Sequence, residues 1–211
     1  MDIKHDYTIS LIRFLAMIFI IACHIMQYYQ CALAWWFNVG VQIFLCISGY
    51  LYGRKKEIDD IKFYFKNFKK IYISFLVVLV PFAAISYIRK TASALIILKS
   101  LLCVGKIPGG EHLWFIPTIL LCYFLTPFFF RYFDKAALKN KMILGYLVLM
   151  GLLFLVISLF TKHFYAAWIS CYATGFFLAR LTKMKKQYKL VCNLIITFMI
   201  IANFAYILIE Y

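Results

Sequence analysis

The sequence predicts an all-α fold: a polytopic integral membrane bundle of about seven transmembrane helices. Three observations lead there. Of the 211 residues, 65% are hydrophobic, with 22 Phe and 16 Tyr among them, and the mean hydropathy is +0.87. Long apolar runs recur from end to end, more than the single core of a soluble domain this size could hide. The basic residues, 23 against 8 acidic, fall mostly in alternate connections between those runs.

The expected spans are residues 8–28, 35–53, 71–88, 112–130, 142–161, 164–180 and 190–209. Each is close to the ~20 residues that a helix needs to cross ~30 Å of hydrocarbon, where no water is present to satisfy an unpaired backbone. The first run continues through bulky Phe, Ile, Met and Tyr side chains, which argues against a cleaved signal peptide. No connection is long enough to hold a soluble domain, so residues 1–211 read as one integral membrane domain.

Two connections carry information. Residues 54–70, RKKEIDDIKFYFKNFKK, set a basic face beside Ile61, Phe63, Phe65 and Phe68, the composition of a cytoplasmic surface segment facing anionic head groups or an anionic ligand. Residues 91–105 are too short for a span and read as an interfacial or re-entrant helix, because counting them as a span would invert every later basic connection. In GKIPGGEH, residues 105–112, Gly109 and Gly110 supply the freedom for a tight turn.

With the N-terminus inside, Lys4, Arg13 and the basic residues of 54–70, 131–141 and 180–189 share one side. They make 18 of the 23, leaving Arg89, Lys90, Lys99, Lys106 and Lys162 for the other. This positive-inside partition predicts a cytoplasmic N-terminus, an external C-terminus and a multi-pass protein of the cell membrane, in contact with its lipids. Placed so, the charge of +15 does not call for nucleic acid. The seven cysteines are scattered, mostly within apolar runs, and form neither a metal spacing nor a C-x-x-C pair, so no metal is expected.

Within the first span, RFLAMIFIIACH puts Arg13 and His24 at the two ends of ten nearly apolar residues. Eleven steps of ~100° bring them within about 20° of one face, about 16 Å apart along the axis. Ionisable groups at such depth are functional candidates. An arginine near the inner end suits an anionic head, although it can also snorkel; a histidine farther out suits a reactive centre, although a hydrogen-bonded neutral imidazole would also be tolerated. A coenzyme A thioester has a matching form, with phosphates at one end, a thin arm and an acyl carbonyl at the other. His24 could deprotonate an attacking hydroxyl or be acylated itself.

Arg13 and His24, with ten residues between, resemble the R/K-x10-H motif of membrane acyltransferase family three, bacterial integral-membrane enzymes that O-acylate surface polysaccharides. Three further blocks occur in the family's order: NVGVQIFLCISGYLYGRK at 38–55, FKKIYISF at 68–75 and HLWFIPTILLCYFLTP at 112–127. The resemblance implies a cytoplasmic acyl-coenzyme A donor, usually acetyl-CoA, and a carbohydrate hydroxyl of the cell envelope as acceptor near the outer face. It makes His24 the catalytic group and Arg13 a donor-binding or site-organising one. Members are usually longer, with more spans; a short natural member, an interrupted one, or a chain completed by a partner protein or a second copy would fit this length.

Other residues are candidates by position. Lys69, Lys70 and Tyr72, at the cytoplasmic start of the third span, and Arg180, closing the sixth, are placed for donor phosphates or for interfacial anchoring. Ser48 and Gly49 read either as small residues at a helix contact or as lining near the acyl group. No acidic residue near Ser48 supports a serine triad. Glu111, His112 and Trp114 open the fourth span from outside, where aromatic planes suit sugar faces and the carboxylate suits hydroxyls or an imidazole. His163 has no matching block and reads as an interface residue. A glycan or small-anion transporter is the alternative from another class, but no internal repeat of the kind transporters carry is evident. An inactive truncated homologue is the other.

Terminal reporter fusions or cysteine-accessibility labelling in intact cells should find the N-terminus inside and the C-terminus outside. Both termini on one side would contradict seven spans.

Overall fold

In a computed structural model of the chain, the described residues are 7–105, 107–110, 113, 115–138, 141–160 and 164–182. Among them there is no strand, and the helices are α1 (Tyr7–Tyr28), α2 (Ala34–Phe37), α3 (Val39–Gly53), α4 (Asp60–Ile88), α5 (Ala94–Leu101), α6 (Phe115–Leu138), α7 (Met142–Phe160) and α8 (Phe164–Thr182). The expected seventh span, 190–209, lies outside the described residues. Three helical stretches, Tyr7–Tyr28, Asp60–Ile88 and Phe115–Lys135, are long and apolar enough to cross a membrane, and Val39–Gly53 and Met142–Leu153 are shorter apolar helices.

Two expected boundaries move. The span expected at 35–53 is broken at Asn38 into the single turn α2 and the 15-residue α3, about 22 Å long. The span expected at 71–88 begins eleven residues earlier. Asp59 stays extended (φ −80°, ψ 107°) and its carboxylate accepts from the Lys62 N–H at 3.2 Å, while Asp60 adds a negative charge to the first turn. That cap starts a helix that the basic stretch simply continues. The Lys62 N–H holds the Asp59 carboxyl below its ordinary range. The cap is therefore in place above the usual carboxylate range and is lost as pH falls through that lowered value.

Three helices end on a non-glycine residue in the left-handed region: Gln30 (φ 52°), Lys90 (φ 56°) and Cys103 (φ 59°). In each case the next N–H reaches back over the last turn: Cys31 to Met26 O, Thr91 to Ser86 O, and Val104 to Lys99 O, at 2.9–3.0 Å. These closures satisfy carbonyls that would otherwise be orphaned. Gly109 supplies the remaining left-handed turn, at φ 80°.

The chain forms two units, residues 56–128 and residues 1–55 with 129–211. In the first, α5 folds back against α4. Its N-terminus is capped by Ser93 beside the α4 end, where Ala92 N–H reaches Ser86 O, and the Leu101 carbonyl at its other end accepts from Tyr72 Oη at 2.9 Å. So the stretch from Ala92 to Leu101, with α5 itself eight residues or about 12 Å long, doubles back along α4 from Ser86 toward Tyr72. Phe75, Leu79, Ala83, Ala92 and Ile107 form the buried core of this unit.

In the other unit α8 is the hub. From Cys171 to Leu181 every residue is buried, as expected for a helix apolar on all sides and enclosed by others. Its glycine spacing makes that possible. A Cβ on Gly49 of α3 would collide with the Tyr172 carbonyl, and one on Gly175 of α8 with the Cys46 carbonyl. One on Gly53 would come within 2.7 Å of Phe176 O and the Ala179 Cβ. Gly49 with Gly53, and Gly175 with Ala179, are the four-residue small-residue spacing that lets backbones touch where lipid gives no hydrophobic drive. Phe129 and Phe133 of α6 pack on Tyr172, Phe176 and Phe177 with ring centroids 5.8–6.3 Å apart. On the α7 side, the Tyr146 ring stacks on Phe177 at 4.2 Å and its hydroxyl meets Thr174 Oγ1 at 2.8 Å.

Contacts advance together along α3 and α8, and along α6 and α8, so these three run the same way. Gly40 packs on Ala16 and Phe19 while Arg13 lies over Phe44, so α1 runs opposite to α3.

Gly49→Leu should lower the thermal stability of the detergent-solubilised protein strongly, by about 1–3 kcal/mol or more of overpacking. Gly151→Ala is the control. A Cβ there meets nothing within 4 Å, so it should be neutral or gain up to about 1 kcal/mol of helix propensity. Equal melting temperatures for the two variants would contradict the α3–α8 contact.

Candidate functional site

Arg13 and His24 both sit on α1, whose buried residues Ala16 and Cys23 mark the side packed in the unit. Arg13 is half-buried, with its guanidinium carbon 5.7 Å from the Phe44 ring centroid. Ser48, one turn further along α3, is buried and donates its hydroxyl to the Phe44 carbonyl at 2.8 Å. Arg13 and Ser48 therefore meet around the same residue. Gly49 takes its place in the helix contact already described.

His24 is exposed, and its Nδ1 is 3.3 Å from Gln27 Oε1. An Nδ1–H donating to that carbonyl oxygen is the tautomer that leaves the lone pair on Nε2, the form a base or nucleophile needs. Gln27 was not among the expected residues. Its signal was spacing alone, since the third residue after a helical histidine lies on its side of the helix.

At the other end of the unit Gly53, near the end of α3, lies against Ala179 of α8, and Asp134 of α6 pairs with Arg180, the next residue of α8; Arg54 and Lys55 follow Gly53 in the chain. The side chains of Arg54 and Lys55 lie over Tyr50 and Tyr52. Arg180 differs from the rest because it is buried. Its Nη1 pairs with Asp134 Oδ1 at 3.1 Å, and its guanidinium lies over Phe130 at 3.9 Å and Phe176 at 5.7 Å. Its Nε and Nη2 are buried and have no hydrogen-bond partner among the described residues. A buried N–H without an acceptor costs about 1–3 kcal/mol, and a planar fork of such donors matches an anionic phosphate oxygen pair. Asp134 also escaped the sequence reading, although it is the one acidic residue in the basic stretch 131–141.

These groups stand at three levels. Gly53 lies against Ala179, next to Arg180, and Phe44 lies against Arg13. Nine residues of α3 separate the two levels, about 14 Å, and His24 stands about 16 Å beyond Arg13 on α1.

The remaining candidates lie elsewhere. Lys69, Lys70 and Tyr72 belong to α4 in the other unit. Lys69 and Lys70 are exposed, whereas Tyr72 donates its hydroxyl proton to Leu101 O and so buttresses the end of α5. Glu111, His112, Trp114 and His163 lie outside the described residues. No cluster of His, Cys, Asp and Glu suited to a metal occurs among the described residues.

A family model described as an acyltransferase domain, acyltransferase family 3, matches residues 6–211. The chain belongs to that family. Neither a curated protein nor a solved structure matches it. Family membership and the apolar helices together make it a membrane protein of a transferase family.

Proposed function

We propose that the protein is an O-acyltransferase of the cell membrane, moving an acetyl or other short acyl group from cytoplasmic acyl-coenzyme A to a hydroxyl of a cell-envelope carbohydrate. Membership of the family across residues 6–211 carries the reading, and the alignment of Arg180, Arg13 and His24 along one unit supports it. The buried Arg180 guanidinium, fixed by Asp134, receives donor phosphate through its Nε and Nη2 donors. Arg13 guides the donor inward, and the pantetheine arm brings the thioester toward His24. Glu111, His112 and Trp114 are assigned to the acceptor.

The chemistry requires one proton acceptor and one electrophile. In direct transfer, His24 Nε2 takes the proton of the sugar hydroxyl as its oxygen attacks the thioester carbonyl. The carbon–sulfur bond then breaks, and the imidazolium returns the proton to the departing coenzyme A thiolate. In the two-step route Nε2 itself attacks the carbonyl and the carbon–sulfur bond breaks, expelling coenzyme A as its thiolate; the sugar oxygen then attacks the acyl-imidazole, the carbon–nitrogen bond breaks, and the freed imidazole takes the hydroxyl proton. Gln27 positions the ring in both.

The test is transfer of radiolabel from acetyl-CoA to envelope carbohydrate by the purified protein in nanodiscs. His24→Ala, inserted at normal levels, should lose roughly 10²–10⁴ of the rate, and His24→Asn should not restore it. Gln27→Ala should lower the rate less and shift its pH profile. Transfer at the unmodified rate by His24→Ala would refute the assignment.

A further inference from the structure

Beyond His24 the chain enters a long stretch without charge. From Ile25 to Gly53 no side chain is acidic or basic, whereas the other end of the unit sets Arg54 and Lys55 over Tyr50 and Tyr52. Aromatic rings and amides take the place of charge at the His24 end. Tyr28 and Tyr29 are 82% and 74% exposed, and their rings meet edge to face with centroids 5.3 Å apart. In that geometry one ring covers a single face of the other, and the remaining faces stay open to a ligand.

The turn that follows is held against the end of α1. Gln30 N–H bonds to Gln27 O at 3.0 Å and Cys31 N–H to Met26 O at 2.9 Å, with Gln30 left-handed between them. The turn leads into α2, which is anchored where the Phe37 ring meets Phe19 of α1 edge-on at 5.4 Å. Trp36, next to that anchor, keeps 46% of its surface exposed.

His24 belongs to the same surface. Gln27 and Tyr28 follow it by three and four residues on α1, which puts their Cβ atoms about 5–6 Å from its own on one side of the helix. Gln27 Oε1 already stands 3.3 Å from Nδ1. A ligand lying on the Tyr28 ring is therefore one helical turn from the imidazole. Sugars present C–H faces, which suit aromatic planes, and hydroxyls, which suit amides able both to donate and to accept. Gln30 is exposed, and Asn38 occupies the N-cap position of α3 without a side-chain capping bond, so its amide is not spent on the helix. An ordinary interfacial belt needs only the amphipathic rings. Three amides among the rings, and no cation, suit a neutral hydroxylated ligand and give an acidic one no counter-charge.

We infer that this surface, Tyr28, Tyr29 and Trp36 with Gln27, Gln30 and Asn38, is an acceptor subsite for a neutral sugar. Tyr28, beside His24, takes the sugar that is acylated, and Trp36 extends the platform. The inference rests on the reading of the protein as a carbohydrate O-acyltransferase, and adds to it a location and a charge class for the acceptor.

Binding tests it separately from transfer. The purified full chain in nanodiscs is titrated with neutral and with uronic-acid-containing oligosaccharides released from bacterial envelope polysaccharide, and complexes are read by native mass spectrometry. The neutral pool should bind more tightly. Tyr28→Ala and Trp36→Ala, at exposed positions where the fold is not at stake, should each weaken that binding about three- to tenfold. Tyr28→Phe, which keeps the ring, should bind nearly as the unmodified protein does, and acetyl-CoA affinity should be the same in all. Three results would each overturn the inference: no neutral oligosaccharide bound by the unmodified protein, equal or tighter binding of the acidic pool, and undiminished neutral binding in both alanine variants. Neutral binding that depends on Tyr28 in a protein that transfers no acyl group would uphold the subsite and remove the transferase reading. Transfer by Tyr28→Ala and Trp36→Ala at an unchanged acceptor KM would do the reverse.

Discussion

The unit that carries Arg13, His24 and Arg180 depends on one contact, the backbone approach of α3 to α8 at Gly49 and Gly175. In a bilayer the solvent is as apolar as the side chains, so helices gain little by hiding leucines from it; close packing has to supply the attraction. Removing two side chains at the crossing brings carbonyl groups of one helix against the Cα of the other. The gap left elsewhere around α8 is then filled by aromatic side chains of α6 and by Tyr146 of α7. Burial of α8 on all sides follows from that arrangement, and so does the burial of its last cation.

Arg180 is the chemical consequence. A guanidinium at the end of a lipid-facing helix would reach for water and head groups. Because α8 is central, this one is held against Phe130, Phe176 and Asp134 instead. Asp134 is 45% exposed, so the pair is not sealed from solvent and its attraction is partly screened. What distinguishes Arg180 is the pair of buried donors that Asp134 does not satisfy. Arg13, by contrast, rests on the Phe44 ring and has no ion pair among the described residues. The three levels of Arg180, Arg13 and His24 form an axial series, suited to a long ligand with charge at one end.

Much of this was legible in the sequence because bilayer constraints are simple. Helix α1 matches its expected span to within a residue at its start, and the helices α7 and α8 begin where the fifth and sixth spans were expected, although of these three only α1 is long and apolar enough by itself to cross a membrane. The short α5 lies in the segment whose length and charge placement argued against a full crossing. The third expected span missed the first part of α4 because an Asp59 cap outweighs a basic composition that reads as a surface loop. The break at Asn38 left no hydropathic trace. Tyr72 read by position either as a phosphate ligand or as an interfacial anchor; the carbonyl that takes its proton is 29 residues away and could not be anticipated from local pattern. Gly49 read as a small residue at a helix contact or as lining, whereas its partner Gly175 was not singled out. That they face each other is a matter of tertiary structure, and so is the role of α8 as hub, because a helix apolar on every side looks the same whether lipid or protein surrounds it.

The central claim is that a donor phosphate is received at the basic end of this unit by a buried guanidinium and guided inward by a second one. Equilibrium binding of acetyl-CoA to the purified full-length chain, compared with Arg180→Gln and Arg13→Ala, addresses it most directly. The account predicts saturable binding to the unmodified protein and a loss of about tenfold or more in each variant, the equivalent of one charge-assisted hydrogen bond. Unchanged affinity in both variants, each folded and inserted, would contradict it.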